Sequence, residues 1–194
     1  MASYISGMPT WAIVLFIAGF LYSIAFIANP AKRAALDAGM TIILFVIVGN
    51  TKLFRKLLRS ISLESLIALH VFRVLGVFDL LLYFYHLLPR NFAFSAGMGD
   101  IITAALALPV AKMVSKGKPG SLKIAYAWNI FGALDIITLL VIVVINVKNA
   151  IVTGEPGPQE MTIFPFVWFP AFAPATILFL HTAIFRKIAA ARTV

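Results

Sequence analysis

Long apolar segments constrain this chain more than any other feature of its sequence. A membrane-crossing helix needs about 20 mostly apolar residues, and six segments near that length follow one another along the 194 residues. Only 12% of the residues are charged, against about 25% in an average soluble domain. We therefore predict spans at about 11–28, 34–49, 63–88, 96–113, 122–147 and 163–185. The second is short and contains Asp37, so a re-entrant or interfacial segment is the alternative there.

These segments predict an all-α fold, a polytopic membrane helix bundle with about six transmembrane helices. The chain is too short for a second domain, so residues 1–194 are expected to form a single transmembrane helical domain. Near 51–61, Leu53, Phe54, Leu57 and Leu58 recur at helical spacing with basic residues between them. That pattern predicts one amphipathic interfacial helix on the inner leaflet, which serves as an anchor or as a docking element.

The basic residues predict the orientation of the chain in the membrane. Loops rich in Lys and Arg stay in the cytoplasm, and eleven of the 16 basic residues lie there if both termini are cytoplasmic. The net charge of +9 is then explained by topology and by an anionic inner leaflet, and no nucleic acid partner is expected. The predicted location is the inner membrane of a bacterium, with multiple passes.

Ionisable residues inside the predicted spans are the main functional signal. A charge at the centre of a bilayer helix costs about 2.5–3.5 kcal/mol on insertion scales, and such residues are functional by default. We expect these side chains to face the interior of the bundle and to satisfy one another. The predicted ligand-binding, ion-binding or proton-relay residues are Arg73, Asp79, Asp100, Asn129, Asp135 and His181.

Spacing along the third span predicts two polar faces. At about 100° per residue, His70 and Arg73 share one face, while Asp79 and His86 share another on roughly the opposite side. A buried ion pair between Arg73 and Asp135 is the structural alternative to a ligand site. Predicted depth then separates an inner cluster from an outer one, with Asp135 between them. The inner cluster contains His70, Arg73, Asn129 and His181, and the outer one contains Asp79, His86 and Asp100.

The stretches "FRVLGVFDLLLYFYHLLPRNFAFSAGMGD" and "AWNIFGALD" resemble a widespread family of small, uncharacterised bacterial multi-pass membrane proteins. The resemblance covers about residues 72–135, a third of the chain. It implies a shared fold and a shared polar site, with no activity to transfer. The residues that carry it are Arg73, Gly76, Leu88, Pro89, Gly97, Gly99, Asp100, Trp128, Asn129, Gly132 and Asp135.

Three classes of function fit these features, and the sequence leaves open whether the chain is an enzyme. The first is binding or conduction of a proton, ion or small solute, by a homo-oligomer because six spans are few for a transporter. The second is a membrane redox or enzyme protein, with His70 and His181 as axial haem ligands, or with His86, Asp79 and Asp100 around a divalent metal. The third is an accessory subunit of a larger membrane complex.

Overall fold

The computed structural model describes residues 43, 51–158, 161, 166 and 168–192. Within these ranges every regular element is helical. The predicted spans at 11–28 and 34–49 lie outside the described residues, apart from position 43. The elements are α1 Lys52–Ser60, α2 Leu63–Leu69, a 3₁₀ segment His70–Gly76, α3 Val77–Phe84, α4 Arg90–Ser115, α5 Ser121–Thr153 and α6 Trp168–Arg192.

Three described helical runs are long and apolar enough to cross a membrane. They are Leu63–Phe84, which joins α2, the 3₁₀ segment and α3, together with Arg90–Ser115 and Ser121–Thr153. Only 17% of the most apolar window of α5 is buried inside the protein. Leu134, Val141 and Val144 are all more than half exposed, as lipid-facing residues would be. The α6 helix has 25 residues and is not among these three, so six spans and cytoplasmic termini stay predictions.

Local sequence sets where these helices begin and end. The Ser62 hydroxyl accepts a hydrogen bond from the Ser65 backbone N–H at 3.2 Å, which caps α2. Pro89 precedes α4, where its fixed φ suits the entry to a helix and its missing N–H is not needed. Gly120 and Gly154 flank α5 with φ of 77° and 72°, a left-handed conformation that glycine adopts at low cost.

The 3₁₀ segment changes which residues of the first described span share a face. A 3₁₀ helix has about three residues per turn, so side chains three apart eclipse one another. The prediction of two opposite polar faces is therefore wrong, because it assumed α-helical rotation throughout. Along this span every third residue is buried and faces the helices α4 to α6, in the order Ile67, His70, Arg73, Gly76, Asp79 and Leu82.

Two apolar clusters lie on either side of these polar residues. One joins α2, α4, α5 and α6, with Ile67, Trp128 and Ile184 at its centre. The other joins α3, α4 and Met161 through Leu82 and Phe92. The polar side chains of the 3₁₀ segment lie between the two clusters along the span, far from either end of the helices.

The helix predicted at 51–61 is present as α1. The side chains of its four basic residues, Lys52, Arg55, Lys56 and Arg59, are exposed. The Lys187 ammonium group donates to the Arg59 carbonyl at 3.4 Å, so the last turns of α6 lie beside the end of α1. Attachment of α1 to a membrane surface stays a prediction.

Candidate functional site

Arg73 lies at the centre of a group of polar side chains, the Arg73 cluster, which consists of Arg73, Asp100, Asn129, Asp135 and His181. The side chain of Arg73 is completely buried. Its Nε donates to Asp100 Oδ1 on α4 at 2.6 Å, and its Nη2 donates to Asp135 Oδ2 on α5 at 2.5 Å. Hydrogen bonds between two charged groups are about twice as strong as neutral ones. One guanidinium therefore ties the 3₁₀ segment to both neighbouring helices.

The remaining contacts of Arg73 reach α5 and α6. Its Nη1 donates to the Gly132 carbonyl and to His181 Nε2, both at 3.3 Å. Asn129 Nδ2 donates to the His181 carbonyl at 3.0 Å, so the amide oxygen of Asn129 faces the imidazole. His181 Nδ1 lies 2.7 Å from that oxygen and must donate to it. His181 is therefore a neutral imidazole with its proton on Nδ1, because Nε2 accepts from an arginine that can only donate.

Three glycines leave the space that these groups occupy. A Cβ added to Gly99 would overlap the Asp135 carboxylate, and one added to Gly76 would lie 2.6 Å from the Asp100 Cβ. A Cβ on Gly132 would lie 2.6 Å from the His181 ring. No ordinary side chain tolerates such approaches. The glycines therefore let two carboxylates and an imidazole reach Arg73 from three different helices.

A second set of contacts holds α4 against α5. The Trp128 indole N–H donates to the Thr103 carbonyl at 3.1 Å, and the Thr103 hydroxyl donates to the Gly99 carbonyl at 2.8 Å. No motif in the sequence indicated a role for Thr103. Its signal is its spacing of four residues from Gly99, which allows a hydroxyl to bond the carbonyl one turn earlier.

His70 lies next to this network and does not join it. Its ring is completely buried, and neither ring nitrogen has a hydrogen-bond partner among the described residues. The ring packs against His181 at a centroid distance of 4.3 Å, and against the edge of Trp128 at 5.2 Å. His70 is therefore enclosed by aromatic rings.

Asp79 and His86 occupy different surroundings. Asp79 is only 6% exposed and lies three residues beyond Gly76, which packs directly against Asp100. His86 is exposed and has a φ of 59°, in the turn that follows α3. The predicted outer cluster is therefore divided: Asp100 bonds Arg73, Asp79 lies near Asp100, and His86 is away from both.

The geometry argues against the two metal hypotheses. Axial haem ligands point at iron from opposite faces of a macrocycle, whereas the His70 and His181 rings stack on each other at 4.3 Å with a tilt of 32°. Both His181 nitrogens also have protein partners already. Among the residues that the structure describes, no three His, Asp or Glu side chains converge as metal ligands would.

The cluster carries more negative than positive charge. Arg73 supplies one positive charge, Asp100 and Asp135 each supply a carboxylate, and the hydrogen bonds of His181 keep it neutral. The three charged groups therefore sum to −1 if both carboxylates are ionised. Nearby Asp79 adds a further carboxylate. Burial of an unbalanced charge is unfavourable by several kcal/mol.

In the residues that the structure describes, the protein is thus all-helical, with helices of membrane-crossing length around the buried Arg73 cluster. A family model described as a domain of unknown function, DUF8737, matches residues 30–189, and the chain belongs to this family. An uncharacterised family agrees with the resemblance seen in residues 72–135. No curated protein and no solved structure matches the chain.

Proposed function

We propose that this chain is an integral membrane protein whose Arg73 cluster binds a proton or a small cation at membrane depth. The observation that supports this proposal is that two carboxylates share one buried guanidinium. Such a cluster needs one further positive charge to be neutral in an apolar environment. Release and rebinding of that charge is the step that we assign to the protein, as part of the movement of a proton, ion or small solute.

A proton suits this cluster better than a metal ion. A metal would need several oxygen or nitrogen ligands around one point, and the guanidinium already occupies the space between the two carboxylates. A proton needs only one carboxylate oxygen. Asp135 and Asp100 each use one oxygen for Arg73, with side chains 11% and 17% exposed. Each acid therefore keeps a second oxygen that can take a proton while the first still accepts its hydrogen bond from Arg73.

The setting that we propose is the inner membrane of a bacterium, with multiple passes and both termini in the cytoplasm. The contact between Lys187 and Arg59 supports this orientation, because it brings two basic segments to the same end of the protein. The lysines that follow α4 lie at the helix end expected on that side. A homo-oligomer, or a partner in a larger complex, would complete the assembly.

Proton movement across liposomes tests the proposal. We would reconstitute the full chain, impose a potassium diffusion potential and follow internal pH with a trapped dye. The wild type should acidify or alkalinise the lumen faster than empty liposomes. Asp135→Asn and Asp100→Asn should each abolish that difference, since an amide cannot take up and release the proton.

Glu64→Gln is the matched control, because Glu64 lies in the first turn of α2 and has no contact with the Arg73 cluster. Its flux should equal that of the wild type. Equal flux from the wild type and both aspartate variants would overturn the proposal, provided that all the proteins elute as folded particles of the same size.

A further inference from the structure

A cavity of about 310 Å³ adjoins the Arg73 cluster. Ligand pockets start at about 300 Å³, so the cavity is large enough for a compact organic molecule. Phe72 and Leu75, two of its lining residues, are 39% and 43% exposed. A ligand can therefore enter sideways from an apolar surface. Its walls include Phe72, Arg73, Asp100, Phe169, Ala173 and Thr176.

The charged group that this cavity offers to a ligand is negative. Arg73 lines it, but four of its five N–H groups are already bonded within the protein and its side chain is fully buried. Asp100 is 17% exposed. Its Oδ1 accepts from Arg73, and its Oδ2 has no hydrogen-bond partner among the described residues. An anion would therefore meet the Asp100 carboxylate, and Arg73 would have only one unbonded N–H to offer it.

Two aromatic rings line the cavity in addition to the Asp100 carboxylate. Phe72 comes from the 3₁₀ segment and Phe169 from α6, so the two rings belong to different helical elements that line one cavity. Aromatic faces attract organic ammonium groups, with larger effects where water is excluded. The remaining walls are mostly apolar, which suits the carbon body of the same molecule.

We infer that this cavity binds a small lipophilic ammonium compound, with its positive nitrogen at Asp100 and its apolar part between Phe72 and Phe169. The inference rests on the proposed function, because the ligand supplies the positive charge that the Arg73 cluster lacks. A bound ammonium group and a bound proton are then alternatives at the same carboxylate. Binding of the compound displaces the proton.

Benzyltrimethylammonium is a suitable probe, because it has a permanent charge and cannot exchange a proton itself. We would titrate it calorimetrically into the full chain in nanodiscs of neutral phospholipid. The wild type should bind it saturably and release a proton into weak buffer. Neopentylbenzene, which has the same shape without the charge, should not bind saturably. Equal binding of both compounds would overturn the inference.

Variants locate the site. Asp100→Asn should weaken binding of the probe about tenfold or more, and Glu64→Gln should leave it unchanged. Phe72→Leu should weaken binding by several-fold, whereas Phe84→Leu, on the same span but outside the cavity, should not. Ala173→Leu fills the cavity without touching an ion pair, so it should abolish binding even if Asp100→Asn does not fold. Wild-type affinity in Ala173→Leu would contradict the inference.

The two proposals fail differently. If the wild type moves protons but does not bind benzyltrimethylammonium, the ammonium site is wrong and the proposed function stands. If the probe binds and Asp100→Asn abolishes its binding, but proton flux is unchanged in both aspartate variants, the cavity site stands and the proton proposal is wrong.

Discussion

Two buried histidines lie side by side in this protein and have opposite surroundings. His181 is 1% exposed and has a partner on each ring nitrogen, whereas His70 is 0% exposed and has none among the described residues. Their ring centroids are only 4.3 Å apart. Depth in the protein is therefore a poor guide to what a polar side chain contributes, and its partners are a better one.

The difference comes from the elements that carry the two rings. His181 lies on α6 opposite Gly132, where the missing side chain admits the ring to Arg73 and Asn129. His70 lies at the start of the 3₁₀ segment, one turn before Arg73, and Trp128 and His181 cover it. The network around Arg73 should therefore be sensitive to any loss of a partner, and the surroundings of His70 should not.

Replacement of Arg73 should cause the largest loss of stability, because Arg73 bonds both carboxylates and His181. Arg73→Met leaves two carboxylates buried without their partner, which typically destabilises a protein by about 3–5 kcal/mol. Unfolding in mixed micelles with increasing SDS measures this loss. Arg59→Met, at an exposed position on α1, is the control and should have little effect. Recovery of stability when Asp100→Asn and Asp135→Asn are added would show that unpaired charge is the cause, and no recovery would contradict it.

A methyl group at Gly99 tests whether the close approach of α5 is required. Gly99→Ala places a Cβ where the Asp135 carboxylate lies, so we expect a loss of about 1–3 kcal/mol from overpacking. Met98→Ala is the neighbouring control, since Met98 is 43% exposed. The same SDS titration compares them. Equal stability of Gly99→Ala and the wild type would mean that Asp135 does not need the space that the missing side chain of Gly99 leaves.

Replacement of His181 removes an imidazole that has a hydrogen-bond partner on each ring nitrogen. His181→Leu leaves Arg73 Nη1 and the Asn129 amide without a side-chain partner, so stability should fall by about 1–3 kcal/mol. His181→Gln, which keeps groups able to accept and donate, should recover part of it. Thermal unfolding followed by circular dichroism measures both. Equal losses in the two variants would show that the ring fills space and that its bonds contribute little.

Replacement of His70 should give the smallest effect. His70→Leu removes two nitrogens that have no partner and keeps an apolar side chain in an apolar pocket, so stability should be unchanged or slightly higher. The same thermal measurement applies. A loss as large as that of His181→Leu would mean that His70 is hydrogen bonded in the membrane, and the contrast between the two histidines would disappear.

Many residues of the Arg73 cluster could be predicted from the sequence. A charge exposed to lipid is unfavourable, so Arg73, Asp100 and Asp135 are expected to pair inside the protein. Their role as a binding site stays a prediction. The ion pair of Arg73 with Asp135, predicted as the structural alternative to a ligand site, is present, whereas the position of Asp79 could not be predicted. An α-helical rotation puts Asp79 opposite Arg73, and only the 3₁₀ segment brings both to one face. A small or polar residue at every third position from His70 to Asp79 is the signal that would have indicated it.

Some parts of the fold could likewise be predicted from the sequence, and others could not. Apolar length located α4 and α5, because a helix in lipid must satisfy its own backbone. The spacing of seven residues predicts that His86 shares a face with Asp79, yet the helix ends at Phe84 and the chain turns at His86 with a positive φ. Spacing predicts a shared face only where the helix continues.

Infrared spectroscopy of the carboxyl groups tests the central claim most directly. We predict that one bound positive charge neutralises the Arg73 cluster at neutral pH. In metal-free protein that charge is a proton, and it gives rise to the carbonyl stretch of a protonated carboxyl group. This band should persist in Glu64→Gln and disappear in Asp135→Asn or Asp100→Asn. Metal-free protein in which every carboxyl group is ionised at neutral pH, in the wild type and in these variants alike, would contradict the account.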